Sequence, residues 1–291
     1  LKNGDWWCLI VEGRDPMGRT TRLEPVTWVD GWPMIGRKVT REERRALGPF
    51  HKPWRTDDPD VEACEWMGVD TFKKPDVGGV HSITAVATTD EFDAPTLGLQ
   101  WQWNHNPNDA NWSLKERPGH MRLKAGLAKG LWGAVNTLTQ RVPGPDSDGF
   151  VELDLRGLKD GNTAGFCSLQ QPFGFIAVQQ EAGKRRIVMS HNGKILGTVE
   201  NFTGDTIWFK INSRNLGSNI AFFYSTDGET YHLLGKEMNI GKGAAWWCNR
   251  YSLFNFSTTE AGVGGVADFN WFRLRMLGTT PSTRDNQVQP P

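Results

Sequence analysis

The sequence carries no net charge, because 33 lysines and arginines balance 33 aspartates and glutamates. No global field therefore recruits nucleic acid or an anionic membrane surface. There is also no apolar run long enough to span a bilayer. Cysteine is scarce: Cys8, Cys64, Cys167 and Cys248 lie scattered, with no CxxC pair among them. That spacing argues against a zinc site and leaves the disulfide state undecided. No initiator methionine and no basic-plus-apolar leader precedes Leu1. The chain enters at once on Gly4-Asp-Trp-Trp-Cys-Leu-Ile-Val-Glu12, which reads as a strand already inside a sheet. A two-strand remnant ending near Trp28 would leave its edges and apolar face open. A preceding region is therefore expected, as a separate chain or numbered elsewhere.

What is plentiful is tryptophan, 14 residues against three tyrosines. Most are expected to fill a β-rich core, while a few exposed indoles would stack on the apolar faces of sugar rings. The stretch from Leu99 to Ala125 organises the rest, with Trp101, Trp103 and Trp112 interleaved among Gln100, Gln102, Asn104, His105 and Asn106. In an extended strand Trp101 and Trp103 share one face and the amides at 100, 102 and 104 the other. Pro107 to Asp109 supply turn chemistry, and Trp112-Ser-Leu begins a return segment. His120-Met-Arg-Leu-Lys124 alternates as a half-buried antiparallel strand does. Asn111, Asn201 and Asn255 each open a glycosylation triplet, a pattern that also arises by chance.

Residues 5–12 and 22–29 read as two strands joined by a loop that carries Arg14, Asp15, Gly18 and Arg19. Thr40 to Gly48 opens with a capping box, Thr40 and Glu43, and stops on glycine, so it predicts a short helix. From Pro49 to Val80 the composition turns to proline, aspartate, glycine and lysine with little periodicity. The acidic cluster Asp57, Asp58 and Asp60 suits a solvated linker better than calcium. Trp54, Trp66 and Phe72 in this crossing require burial. Strands are predicted at Ile83–Ala87, Thr137–Arg141, Phe150–Arg156, Ala164–Gln170, Phe173–Gln180 and Arg186–Ser190. Further ones follow at Lys194–Glu200, Thr206–Asn212, Asn219–Ser225, Thr230–Leu234 and Asp268–Arg275. Asn192-Gly193 and Asp227-Gly228 are strong hairpin signals. Many short strands at this spacing mean an antiparallel sandwich.

Two motifs carry a resemblance. Trp101-Gln-Trp-Asn-His-Asn-Pro107, followed by Trp112-Ser-Leu-x-Glu-Arg-Pro-Gly-x-x-Arg-Leu-Lys124, resembles the opening of the C-terminal β-sandwich of glycoside hydrolase family 43. The match is to its β-xylosidases and α-L-arabinofuranosidases. Met17 to Gly36 is similar to the end of the last propeller blade in the same enzymes. The resemblance implies an all-β chain, with the final strands of a five-bladed β-propeller at 1–36 and a concanavalin-like sandwich at 83–277; composition makes 37–82 an interdomain linker and the polar tail at 278–291, rich in Thr and Pro, disordered. It implies an inverting exo-glycosidase that releases xylose or arabinose from xylan, arabinoxylan or their oligosaccharides. Its partners would be that substrate and the missing N-terminal propeller, with no nucleic acid, no membrane and a homo-oligomer left open. The expected location is secreted or periplasmic rather than cytoplasmic. The competing reading is a non-catalytic carbohydrate-binding module.

The resemblance puts the aspartate base, the glutamate acid and the second aspartate on earlier blades, so no catalytic carboxylate is assigned to this chain. It also puts the arginine of the Gly-Arg motif in the sugar pocket. Arg19 is therefore the expected substrate-binding residue, its planar fork suited to sugar hydroxyls. Trp246 to Phe256 is the candidate for an aromatic loop that helps close the pocket, although core packing is the expected role for most of its rings. Glu152-Leu-Asp154-Leu-Arg156 echoes the E-x-D-x-E strand of sandwich-fold glucanases, but Arg156 stands where the final acid belongs. The pair is read as an outer charged face, with Val151, Leu153 and Leu155 turned inward. Asp90-Glu91-Phe92-Asp93 and Asp268 would meet where first and last sandwich strands pair. There they serve either as calcium ligands, Glu91 and Asp268 foremost, or as ordinary turn and edge acids. No cofactor is required for the chemistry. His105 is expected to be a hydrogen-bonded structural histidine.

Overall fold

In the computed structural model the described residues are 1–14, 18–40, 42–43, 66–68, 72–81, 88–215, 217–240 and 248–277. The chain forms two compact units, one of Leu1–Glu12 with Thr20–Thr84 and one of Gly13–Arg19 with Ala85–Pro291. The expected strand Ile83–Ala87, the acidic cluster at 57–60, Trp54, the body of the 40–48 helix and the tail from 278 lie outside the described residues.

The leading strands are β1 (Trp6–Arg14), β2 (Gly18–Val29) and β3 (Trp32–Ile35), which form one antiparallel sheet in that order. The turn between β2 and β3 is Asp30-Gly31, both at positive φ, the twist that a two-residue hairpin needs. The short strands β4 (Arg37–Lys38) and β5 (Trp66–Met67) pair next to it. Gly36 has φ +87°, and a β-carbon there would sit 1.8 Å from the Met67 carbonyl oxygen, so only glycine fits. The expected capping box is formed, Thr40 N donating to Glu43 and Glu43 N to Thr40 Oγ1. Phe72 rests on Trp7 with ring centres 5.1 Å apart yet keeps an exposed edge.

The second unit is an antiparallel sandwich. Its strands in order are β6 (Gln102–Trp103), β7 (Trp112–Ser113), β8 (Met121–Lys124), β9 (Gly126–Leu127), β10 (Leu138–Arg141) and β11 (Asp146–Asp154). They continue as β12 (Asn162–Leu169), β13 (Gly174–Glu181), β14 (Lys184–His191), β15 (Lys194–Phe202) and β16 (Thr206–Arg214). The last are β17 (Asn219–Ser225), β18 (His232–Leu233), β19 (Met238–Asn239), β20 (Arg250–Ser257) and β21 (Val266–Leu277). One sheet runs β15-β14-β13-β12-β20-β10-β6, with β9 added beside β20. The other runs β18-β17-β16-β11-β21-β8-β7, with β19 beside β17.

Alternation fills the space between the sheets. Val151, Leu153, Phe209, Ile211 and Phe269 enter from one side, Phe166, Ile176, Tyr251 and Leu253 from the other, all fully buried. The sheet containing β12 is also covered on its outer face, where Cys167, Leu169, Phe175, Val188, Phe254 and Phe256 pack with Leu131. All eight residues of β12 are therefore buried, as an interior strand with two covered faces requires.

The predicted strands from Thr137 to Ser225 and the last one at Asp268–Arg275 are present, most of them shifted or lengthened by a few residues. Asn192-Gly193 is the tight turn expected, with φ of 48° and 79°. Ala182-Gly183 adopts the same conformation between β13 and β14 without an asparagine or aspartate to announce it. One expectation is overturned. Within Trp246–Phe256 the described part from Arg250 onward is no loop but β20, held between β12 and β10. Its aromatics alternate into the two cores, Tyr251 inward and Phe254 and Phe256 outward. Trp246 and Trp247 lie outside the described residues. Among the described residues no helix is long and apolar enough to cross a membrane.

Candidate functional site

On the outer face of the β12-β20-β10-β6 sheet, at its β6 end, lies a recess of about 520 Å³ within the second unit. Strand pairing explains why its residues meet. Thr139 of β10 faces Gln102 of β6, and Arg141 faces Arg250 of β20. Partners in an antiparallel pair project to the same side, so Gln102, Arg141 and Arg250 share one face. Leu138, Trp103 and Leu253, each an odd number of positions away along its strand, pack in the core between the sheets. The 3-10 turn Leu131–Gly133 lifts Trp132 over the same face, where its ring stacks on Phe173 at 6.0 Å.

Hydrogen bonds hold the floor. Arg250 Nη2 donates to Asn104 Oδ1 at 2.6 Å, and Asn104 N donates to Thr137 O. His105 Nε2 lies 2.9 Å from Trp132 O, which requires that nitrogen to carry the hydrogen. His105 is thus the hydrogen-bonded residue expected of it, and it also lines the recess. Arg141 Nη2 donates to the main-chain carbonyl of Arg19 at 3.0 Å. That bond fixes the start of β2 at the rim, and Arg19 itself is exposed there. Cys248 also lines the recess, and burial raises its thiol pKa against the pull of Arg141 and Arg250. It stays protonated and is no nucleophile at neutral pH.

Arg19, the residue singled out in the sequence, lines this recess, and so do Arg141, Arg250, Gln102 and Trp132, which the sequence did not single out. Each of two strands carries an arginine at one end, Arg141 closing β10 and Arg250 opening β20. Their pairing becomes visible only once β10 and β20 are known to be adjacent.

The other candidates are engaged by neighbouring side chains. Glu152 accepts from Trp208 Nε1 at 3.0 Å, Trp271 Nε1 at 3.1 Å and Asn270 Nδ2 at 3.1 Å. Asp154 is held by Arg156 and by Arg117 Nη1 at 2.8 Å. Val151, Leu153 and Leu155 point inward as expected. The first and last sandwich segments do meet, Asp90 bridging Phe272. Yet Glu91 is forked by Arg273 at 2.8 and 2.9 Å, and Asp268 by Arg122. A guanidinium seated on each carboxylate supplies the countercharge and occupies part of its acceptor capacity, so the calcium expectation gains no support. Among the described residues no three His, Cys, Asp or Glu side chains cluster as metal ligands would. Cys8, Cys167 and Cys248 are free thiols, and Cys64 lies outside the described residues. Asn255 is buried and donates to Leu123 O and Gly265 O, so its glycosylation triplet is structural.

Two eight-stranded sheets, antiparallel except for the β9–β20 pair and packed face to face, define a concanavalin-like sandwich domain. Residues 89–275 match the β-xylosidase C-terminal concanavalin A-like domain of glycoside hydrolase family 43, and the chain belongs to that family. It is 33% identical over 298 residues to a β-xylosidase of Formosa agariphila, covering 93% of this chain and 45% of that protein. It is 34% identical over 131 residues to a non-reducing end α-L-arabinofuranosidase of Bacteroides ovatus, covering 43% of this chain and 20% of that one. A bifunctional GH43-CE structure from Bacteroides eggerthii superposes with a TM-score of 0.73 at 29% identity, over 94% of this chain and 33% of the other. The chain thus spans less than half the length of these relatives.

Proposed function

We propose that the chain is the C-terminal portion of an inverting exo-glycosidase that removes xylose or arabinose from xylan, arabinoxylan or their oligosaccharides. The sandwich helps wall the sugar cavity, and Arg19 donates to substrate hydroxyls. The family membership and the relatives' names support the reaction class. The observation that carries the site is the Arg141-to-Arg19 bond, which holds the Gly-Arg motif at a recess bearing amides and an indole. Inversion needs an acid on the leaving oxygen and a base behind an attacking water, with carboxyls roughly 6.5–9.5 Å apart. No Asp or Glu among the described residues lines this recess, and the acid and base are assigned to the propeller part of the protein. The protein acts on polymers outside the cytoplasm, secreted or periplasmic.

The test is kinetic. The complete protein and the 291-residue chain alone are assayed on aryl xylosides and arabinosides, with and without Arg19→Ala. Turnover by the complete protein only, falling about 100-fold or more in the Arg19 variant with unchanged melting, is the expected result. Activity from the chain alone would contradict the placement of the acids. Normal turnover in the variant would remove Arg19 from the site.

A further inference from the structure

The three Asn-x-Ser/Thr triplets of the chain meet different fates in the fold. Such a triplet is the acceptor signal for an N-linked glycan, which needs the asparagine nitrogen in water and a hydroxyl two residues on. Asn255 is buried, and its amide nitrogen donates to two main-chain carbonyls. Asn111 is half-buried, and the Ser113 oxygen two residues on already accepts from the main-chain N–H groups of Lys115 and Glu116. Neither leaves room for a bulky, solvated substituent.

Asn201 differs on each count. It is exposed near the end of β15, and Thr203 is exposed in the link to β16. Between the register pairs Ile187–Val199 and Arg185–Phe202, two residues of β15, Glu200 and Asn201, stand against Arg186 alone. A bulge of this kind re-aims a side chain, and Asn201 takes the left-handed conformation that asparagine tolerates, with φ of 55°. Among the described residues nothing hydrogen-bonds the Asn201 amide or the Thr203 hydroxyl. Beside them lies a recess of about 370 Å³, lined also by Phe202, Gly183 and Lys184. The partly exposed ring of Phe202 offers the apolar face of a first sugar a place to rest.

We propose that Asn201 is an N-linked glycosylation site, with the first sugar of the glycan seated in this recess against Phe202. In the transfer the Asn201 amide nitrogen displaces the diphosphate of a lipid-linked oligosaccharide. The bond from nitrogen to the anomeric carbon forms, the bond from that carbon to the phosphate oxygen breaks, and the amide gives up one proton. In the described structure β15 is the last strand of its sheet, so a glycan there also shields an open strand edge from pairing with another chain. The inference rests on the proposed export of the protein and not on its sugar-cleaving site.

The experiment directs the complete protein into the secretory pathway of a yeast host. N-glycans are then removed by an amidase in heavy-oxygen water, which marks each formerly occupied asparagine as labelled aspartate. Peptide mass spectrometry is run on all protein that entered the pathway, exported or retained. Asn201 is expected to be labelled in most molecules, and Asn111 and Asn255 at least about tenfold less often. Thr203→Ala should abolish the label at Asn201, and Thr203→Ser should keep it. Absence of label at Asn201 overturns the proposal, as does label that survives Thr203→Ala. Label at Asn111 equal to that at Asn201 overturns the selection of one triplet by the fold. Turnover of aryl glycosides by the complete protein judges the proposed function separately, since label at Asn201 does not depend on it.

Discussion

Arg122 stands directly opposite Asp268 across β8 and β21 and closes a two-pronged contact on it, Nε to Oδ1 at 2.8 Å and Nη2 to Oδ2 at 2.9 Å. Arg117 Nη1 then bridges Asp268 to Asp154 at 2.9 and 2.8 Å. Two nearly buried carboxylates from β21 and β11 are thus tied to the segment that opens the sandwich. Removing one partner leaves charges that are part-buried and uncompensated. Asp268→Ala should cost about 2–3 kcal/mol, below the fully buried range because both arginines reach solvent. Urea unfolding monitored by tryptophan fluorescence would check it, and a loss under about 0.5 kcal/mol would deny the network its role.

The same network sets an acid limb. Burial pushes the Asp268 carboxyl upward, but hydrogen bonds from Arg122 and Arg117 outweigh it and hold the group below the usual aspartate range. For Asp154 burial is likewise outweighed, here by Arg156 and Arg117. Folded values below unfolded ones add stability above the unfolded pKa, and that contribution is lost as pH falls through the folded values. The urea midpoint should therefore be flat from neutrality to about pH 5 and fall below about pH 4. In Asp154→Asn/Asp268→Asn the fall should be shallower.

Chelation separates the two readings of Glu91 and Asp268. With Arg273 and Arg122 seated on these groups, EDTA should leave the melting temperature within about 1 °C. A calcium ion bound at 100 times its Kd would contribute about 2.7 kcal/mol, several degrees of melting temperature. A drop of that size on chelation, restored by calcium, would reinstate the ion.

Gly165 lies in the middle of β12, where an added β-carbon would come 2.2 Å from the Ile176 carbonyl oxygen on the neighbouring strand. Main chain cannot swing aside as a side-chain tip can, so Gly165→Ala should cost about 2 kcal/mol or more. Gly183→Ala keeps open space around its β-carbon and should cost less, about 1 kcal/mol for the positive φ alone. A larger loss at Gly183 than at Gly165 would reverse the argument.

Local chemistry was legible because it acts over a few residues. Alternation marked Thr206 to Ser225 as strands, Asn192-Gly193 declared its own turn, and Thr40 with Glu43 declared a cap. The motifs at Trp101 to Lys124 and Met17 to Gly36 carried the family resemblance. In the run from Trp246 to Phe256 the core packing of the described rings was legible but the strand from Arg250 was not, since an aromatic-rich segment buried on both faces has no period to distinguish it from a pocket-lining loop.

By itself, then, the sequence determined the all-β character, the Asn192-Gly193 turn, most strand positions and the motif that contains Arg19. Tertiary structure alone decided which distant strands became neighbours. Arg141 and Arg250 are 109 positions apart by number, and nothing in either local sequence says they face each other across β10 and β20. Asp268 could have met a cation or an arginine, and strand order delivered Arg122. Long-range pairing depends on how a whole set of apolar faces is buried together, a global sum that no short window of residues contains.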